Sequence, residues 1–375
     1  MRILHLITRM DRGGSAVNTL ISASEQALRG HHVVLAMGRS EESEMGASEI
    51  SRVEEGLKAF QSNGGVVRWL PSMKRSLGLH DWAACREIAS LMDVSFDVVH
   101  THTSKAGVLG RLAAHGKTKV VHTPHGHIFH GYFGALKTSL FIAIERWMAK
   151  KCDVLIALTE AEKSDHLKLR IGTAEQWHVV PSGVDVAGIS ERVGQLRQQP
   201  EYSLAWDAVS VGRLVPIKGM DRLIRAWAEV CRIKPDARLA IVGDGEERAM
   251  LESLAAASGV AGQVCFAGWD DPIPYLASAR CFALLSHNEG MGRAVVEAFA
   301  ASLPCVVSNV CGLSELVDER VGAVVNAEEP EQVAQSLLCE WGSTVRESAR
   351  KRADHYSVEA MVNGLESIYA TLSKG

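Results

Sequence analysis

Thirteen short apolar runs rich in β-branched residues punctuate this chain, and most are continuous rather than alternating. A strand with one face in water alternates apolar with polar residues. A strand buried on both faces does not, and such strands belong to parallel sheets covered by helices. The runs predict strands over 2–7, 32–37, 66–70, 97–101, 118–122, 153–158 and 177–180. In the second half they predict strands over 207–212, 238–242, 263–266, 281–285, 304–307 and 322–325. Amphipathic stretches such as 15–29, 80–92, 136–151, 219–232, 246–258 and 291–301 lie between them. Repeated βα units of this kind make an α/β, doubly wound architecture.

With 375 residues the chain has length for two domains. The polar, Gln-rich stretch ending Gln198-Gln199-Pro200 marks the break. The expectation is two Rossmann-like β/α/β domains facing a central cleft: 1–185, a linker over 186–206, and 207–355. A last helix lies at about 357–372, within a tail of 356–375. With 47% apolar and 22% charged residues, wholesale disorder is excluded. A net charge of −4 gives no overall basic field for nucleic acid. No apolar run approaches the roughly 18 residues of a membrane span, and Thr8, Arg9, Asp11 and Arg12 end the first run too early for a signal sequence. The eight cysteines form no CxxC, and several sit in apolar runs, which points to free thiols and a cytoplasmic protein. Charge is uneven: residues 1–185 sum to +3 and 186–375 to −7.

In open parallel sheets ligands bind beyond the carboxyl ends of strands, so chemistry is sought at strand exits. Arg12-Gly13-Gly14-Ser15 follows the first strand; its glycines let backbone approach an anion, or they make only a turn. Thr123-Pro124-His125-Gly126-His127, with His122 and His130, forms a histidine cluster. No Cys, Asp or Glu lies within ten residues of it, which argues against a metal and for one histidine contacting a polar ligand. Val211-Gly212-Arg213 and Lys218-Gly219 place two cations on one loop, suited to phosphate oxygens or merely solvated. Val242-Gly243-Asp244-Gly245 is a GxG lacking its third glycine, which is weak as a phosphate signal. The most informative exit is Glu289-Gly290-Met291-Gly292-Arg293, followed by Glu297. Backbone amides there can meet an oxyanion at a helix start, and a carboxylate further along can accept from a sugar diol. A glycosidase could also use two carboxylates, but it has no need of the Arg213/Lys218 cations.

Together these residues resemble the family-four retaining glycosyltransferases of the GT-B fold, over nearly the whole chain. Arg12-Gly13-Gly14, Thr123-Pro124-His125-Gly126, Val211-Gly212-Arg213 with Lys218-Gly219, Val242-Gly243-Asp244-Gly245, and Glu289 seven residues before Glu297 carry the resemblance. It implies a nucleotide-sugar donor held mainly by the second domain, no cofactor and no metal. It implies that Glu297 holds the ribose and that Arg213 and Lys218 stabilise the leaving diphosphate. The amides of Met291, Gly292 and Arg293 would bind sugar and phosphate oxygens, and Gly290 and Gly243 would also be donor-binding. Glu289 would lie near the donor sugar, Gly13 and Gly14 near the diphosphate, and His125 near the reacting carbon. It implies a last helix that crosses back to the first domain. Met291 and Arg293 depart from the family's usual Phe and aliphatic residue. The implied reaction is retaining hexosyl transfer to a glycan or lipid-linked acceptor in bacterial polysaccharide or glycolipid assembly, from a UDP-sugar or GDP-mannose. A nucleotide-sugar 2-epimerase, a His122/His125/His127 metal hydrolase and a non-catalytic nucleotide binder are the rivals. His102, Ser104 and Lys105 are candidate acceptor contacts at another strand exit. The basic stretch 136–151 could lie on an anionic membrane or pack into the core.

Overall fold

The computed structural model describes residues 1–11, 13–39, 47–116, 118–125, 134–200 and 202–373, and it divides into two compact units. Unit 1 holds residues 1–183 and 358–375, and unit 2 holds 184–357.

Unit 1 is built on seven strands: β1 (Arg2–Arg9), β2 (His32–Gly38), β3 (Val66–Trp69), β4 (Val98–His102), β5 (Lys119–Thr123), β6 (Val154–Ala157) and β7 (Trp177–Val179). They form one parallel sheet in the order β3-β2-β1-β4-β5-β6-β7. The connecting helices are α1 (Gly14–Leu28), α2 (Ala47–Ser62), α3 (His80–Leu91), α4 (Ser104–Ala114), α5 (Ala135–Ala149) and α6 (Glu160–Lys168). Each central strand buries both faces, as the unbroken apolar runs require. Along β1, Leu4 and Leu6 enter one core layer, while Ile3 and Ile7 enter the layers on the opposite face.

Unit 2 repeats the plan. Strands β8 (Trp206–Val211), β9 (Leu239–Val242), β10 (Val264–Gly268), β11 (Ala279–Leu284), β12 (Cys305–Ser308) and β13 (Gly322–Val325) pair in the order β10-β9-β8-β11-β12-β13, all parallel. Helices α7 (Val186–Arg197), α8 (Met220–Ile233), α9 (Arg248–Ala257), α10 (Pro272–Ala277), α11 (Arg293–Ala300), α12 (Pro330–Leu338) and α13 (Ser343–Asp354) cover it. Trp227, Leu223, Ile224 and Val230 of α8 are all buried against the sheet.

One expectation needs correction. The stretch 186–206 is not a bare linker, because Val186–Arg197 is helix. Asp185 caps it by accepting from the Gly188 amide at 2.9 Å, and Val186 and Val193 are buried. Polar composition hid a helix whose apolar stripe is narrow. The final helix α14 (Val358–Ser373) returns to unit 1, where Met361, Val362, Leu365 and Tyr369 pack with Ile3, Val98, Val121 and Ile156. All eight cysteines are free thiols.

Candidate functional site

In each sheet the strand order reverses beside the first strand, between β1 and β4 and between β8 and β11. Loops leaving such neighbours in opposite directions open a crevice at their carboxyl ends. In unit 2 the loops after β8 and β11 are those carrying 213–218 and 286–292.

These two loops lock together. Pro216–Lys218 makes a single 3-10 turn ended by Gly219 at φ +61. A Cβ on Gly219 would meet the Leu285 carbonyl oxygen at 2.1 Å, so only glycine lets the first loop lie on the end of β11. The His287 amide donates to the Ile217 carbonyl at 2.8 Å. The result joins residues 71 apart: Lys218 Nζ donates to Glu289 Oε1, which also accepts from Ser286 Oγ at 3.0 Å. Arg213 is exposed on the same loop and makes no ion pair among the described residues.

Gly292, at φ +71, is the residue before α11, and a Cβ there would lie 2.4 Å from Leu313. Gly290 is held from behind, since a Cβ on Gly312 would meet its carbonyl oxygen at 2.5 Å. Met291 is buried. The helix opens at Arg293, so Arg293 and Glu297 stand one turn apart on one face. Burial pushes the Glu297 carboxyl above its ordinary range, and the Arg293 cation opposes that shift. Burial lowers Arg293 in turn, and Glu297 opposes it. The arginine that departs from the family pattern is thus the electrostatic partner of the carboxylate.

The GxG element has a different job. Gly243, at φ +142, would drive a Cβ to 1.9 Å from the Gly212 carbonyl oxygen, and Gly245 would do the same to Leu214 at 2.3 Å. Both glycines let the exits of β8 and β9 touch. Gly243 therefore shapes the loop carrying Arg213.

In unit 1, Gly13 precedes α1 and Gly14 opens it. The Gly13 amide donates to Asp11 Oδ1 at 2.7 Å, so this N–H is already committed. His125 follows β5 at φ +62, a costly conformation for a residue with a Cβ. Its Nε2 lies 2.9 Å from His102 Nδ1. His102 is 1% exposed, and its other nitrogen is 2.9 Å from His5 Nδ1, so neither ring nitrogen is left for an acceptor. That removes the expected role of His102. Ser104 begins α4, and Lys105 pairs with Asp81 at 2.5 Å.

The histidine cluster read from the sequence does not assemble as expected. His122 turns to the other face of the sheet and bonds Thr101 Oγ1 at 2.9 Å, while His127 and His130 lie outside the described residues. The cluster that does form is His5, His100 and His102, buried on one face of β1 and β4. Sequence reasoning missed it. The signal was the spacing of His100 and His102, which puts both on one face of a strand, and β1/β4 register sets His5 opposite His100. A metal is a poor reading, because all six ring nitrogens already have partners: Gln26, Tyr369, Thr123, His125, and one another.

Comparison with known proteins gives a consistent result. Residues 12–187 match the family model "Glycosyltransferase Family 4", and residues 195–338 match "Glycosyl transferases group 1". The chain is 31% identical over 262 residues to the Escherichia coli UDP-Gal:alpha-D-GlcNAc-diphosphoundecaprenol alpha-1,3-galactosyltransferase, covering 62% of this chain and 66% of that protein. It is 29% identical over 261 residues to a Corynebacterium glutamicum GDP-mannose-dependent monoacylated alpha-(1-6)-phosphatidylinositol monomannoside mannosyltransferase, covering 65% of this chain and 66% of that protein. Its fold matches Anabaena HepE in complex with UDP at a TM-score of 0.79, with 20% identity, over 99% of this chain and 100% of that one.

Proposed function

Because the chain belongs to the family-4 glycosyltransferases of the GT-B fold, we propose that it moves a hexosyl unit from a nucleoside-diphosphate sugar to a glycan or lipid-linked acceptor, with retention at the anomeric carbon. The observation that carries this reading is the Lys218–Glu289 pair beside Arg213 and the 290–293 loop, at the strand reversal of unit 2. Charge builds on the departing diphosphate, and fixed cations and amides lower the barrier by meeting it. We assign Arg213 and Lys218 to that charge, in place of a metal. The amides of Met291, Gly292 and Arg293 take sugar and phosphate oxygens. Glu289 orients Lys218 and borders the sugar, and Glu297 accepts from the ribose hydroxyls. From unit 1 we assign His125 to the sugar near the reacting carbon and the Gly13-Gly14 turn to the diphosphate.

The base and sugar are the finer part of the proposal. A UDP-sugar is favoured, supported by the UDP-Gal named for the Escherichia coli relative. GDP-mannose is the alternative, named for the corynebacterial one. Both of those names specify lipid-linked acceptors, which supports a glycolipid or polysaccharide context here. Lys218→Ala is expected to lower turnover by about 10²–10³, the usual size of a lost transition-state donor. Unchanged turnover in Lys218→Ala and Arg213→Ala would remove the phosphate role.

We assign the acceptor side a peripheral contact with anionic membrane, at the cytoplasmic face, through α5. Leu136 and Leu140 are 87% and 62% exposed, and Trp147 is exposed beside Lys151. The one acid of this helix, Glu145, turns inward to the buried Arg111 at 2.8 Å. The outer face is left apolar and basic, the composition of a helix that sits at a lipid surface. No helix among the described residues is long and apolar enough to cross a membrane.

A further inference from the structure

Four side chains in the core of unit 1 form an unbroken chain. Gln26 Oε1 lies 2.7 Å from His5 Nε2, His5 Nδ1 2.9 Å from His102 Nε2, and His102 Nδ1 2.9 Å from His125 Nε2. They come from α1, β1, β4 and the residue pair beyond β5. We propose that Gln26, His5 and His102 are positioning residues that hold the proton of His125 on Nε2 and leave its Nδ1 an acceptor.

The polarity follows from one end. An amide oxygen only accepts, so His5 Nε2 must carry a proton. A neutral imidazole has only one, so His5 Nδ1 is bare and accepts from His102 Nε2–H. The same step repeats: His102 Nδ1 is bare and accepts from His125 Nε2–H. Neutrality is what the surroundings enforce. Burial lowers His5 to about 4 and takes His100 and His102 well below the ordinary histidine value, with the neighbouring rings pushing the same way. The amide oxygen is the Gln26 atom that faces His5, and its nitrogen has no hydrogen-bond partner among the described residues.

A second branch steadies the first. The His100 ring lies 4.1 Å from that of His102 between centroids, tilted by 33°, and is held at both nitrogens, by Tyr369 OH at 2.6 Å and Thr123 Oγ1 at 2.7 Å. The relay does not move a proton in this account. It fixes the tautomer of His125, and it holds the ring in a backbone conformation that histidine adopts at a cost.

The functional consequence rests on the proposed contact between His125 and the donor sugar; the tautomer itself does not. The test is histidine-selective ¹⁵N NMR on the full chain near neutral pH, with signals assigned by single substitution. The expected result is ¹⁵N–¹⁵N coupling across both ring–ring hydrogen bonds, with the proton on Nε2 of His102 and of His125. A proton on Nδ1 of either, or no coupling across either bond, overturns the proposal. Gln26→Leu and His102→Phe are then assayed for donor hydrolysis. About a tenfold fall in kcat is expected for each, with unchanged affinity for the free nucleoside diphosphate. His125→Ala combined with His102→Phe should be no worse than His125→Ala alone, because the residues act as a unit. If the couplings are found but His125→Ala hydrolyses donor normally, the relay stands and the sugar contact fails.

Discussion

At the residue scale the proposed donor site is an arrangement of charges in unequal surroundings. In its proposed role Glu297 must be ionised to accept from two hydroxyls, yet burial favours its neutral form and Arg293 restrains that tendency. Nucleoside diphosphate affinity should therefore fall as pH drops through a carboxyl value above the ordinary glutamate range. Titration calorimetry across pH checks this. Glu297→Gln should weaken binding about ten- to a hundredfold, the size of a lost charge-assisted pair of hydrogen bonds, and erase the pH limb. Arg293→Leu should shift the limb to higher pH. The buried histidines make a second prediction. His5 is neutral when folded down to about pH 4, whereas the unfolded chain protonates near 6.5. A group with a lowered folded value costs stability as pH falls through the unfolded value, levelling off at the folded one. For His5 alone this amounts to about 3 kcal/mol, and His100, His102 and His122 act in the same direction. Urea midpoints should fall between pH 7 and pH 5, and a flat profile would contradict the neutral cluster.

At the element scale, the strands were legible because burial on both faces leaves an unbroken apolar run. The loop glycines were legible as glycines but not for their purpose. Gly243 avoids a collision with Gly212, a pairing that depends on neighbouring strands far apart in sequence. For the same reason, the Lys218–Glu289 pair could be suspected from its charges but not seen. The His5–His102–His125 chain was invisible for a related cause: its members lie 97 and 23 residues apart and meet only through β1/β4/β5 register. Gly219→Ala should be destabilising by about 2–4 kcal/mol, since a positive φ and a backbone collision combine. A thermal melt within a degree of the wild type would argue that the 213–219 loop is not seated on β11. For α5, Leu136→Ser with Leu140→Ser should abolish sedimentation with anionic vesicles at low salt while leaving donor hydrolysis intact. Equal sedimentation would retire the membrane contact.

At the scale of the whole molecule, the net charge of −4 divides into +3 over residues 1–185 and −7 over 186–375. The cations proposed for the donor, Arg213 and Lys218, lie within the acidic part, where the local pairing of Lys218 matters more than the overall field. The basic surplus lies with the α5 surface assigned to the acceptor. The returning helix α14 ties the chain end into unit 1 through Tyr369, which is fully buried and bonded to His100. Ending the chain at Ser357 should lower the melting of unit 1 while leaving that of unit 2 nearly unchanged, read as two transitions by calorimetry. The central claim is that the 213–218 and 289–297 loops bind a nucleotide sugar and stabilise its departing diphosphate. The most direct measurement incubates the full chain and Lys218→Ala with UDP-, GDP- and ADP-sugars and follows released nucleoside diphosphate. The account expects one donor to be consumed by the wild type, with release at least a hundredfold slower in the variant. Equal release by both proteins, release from none of the donors, or accumulation of the 2-epimer in place of free diphosphate would contradict it.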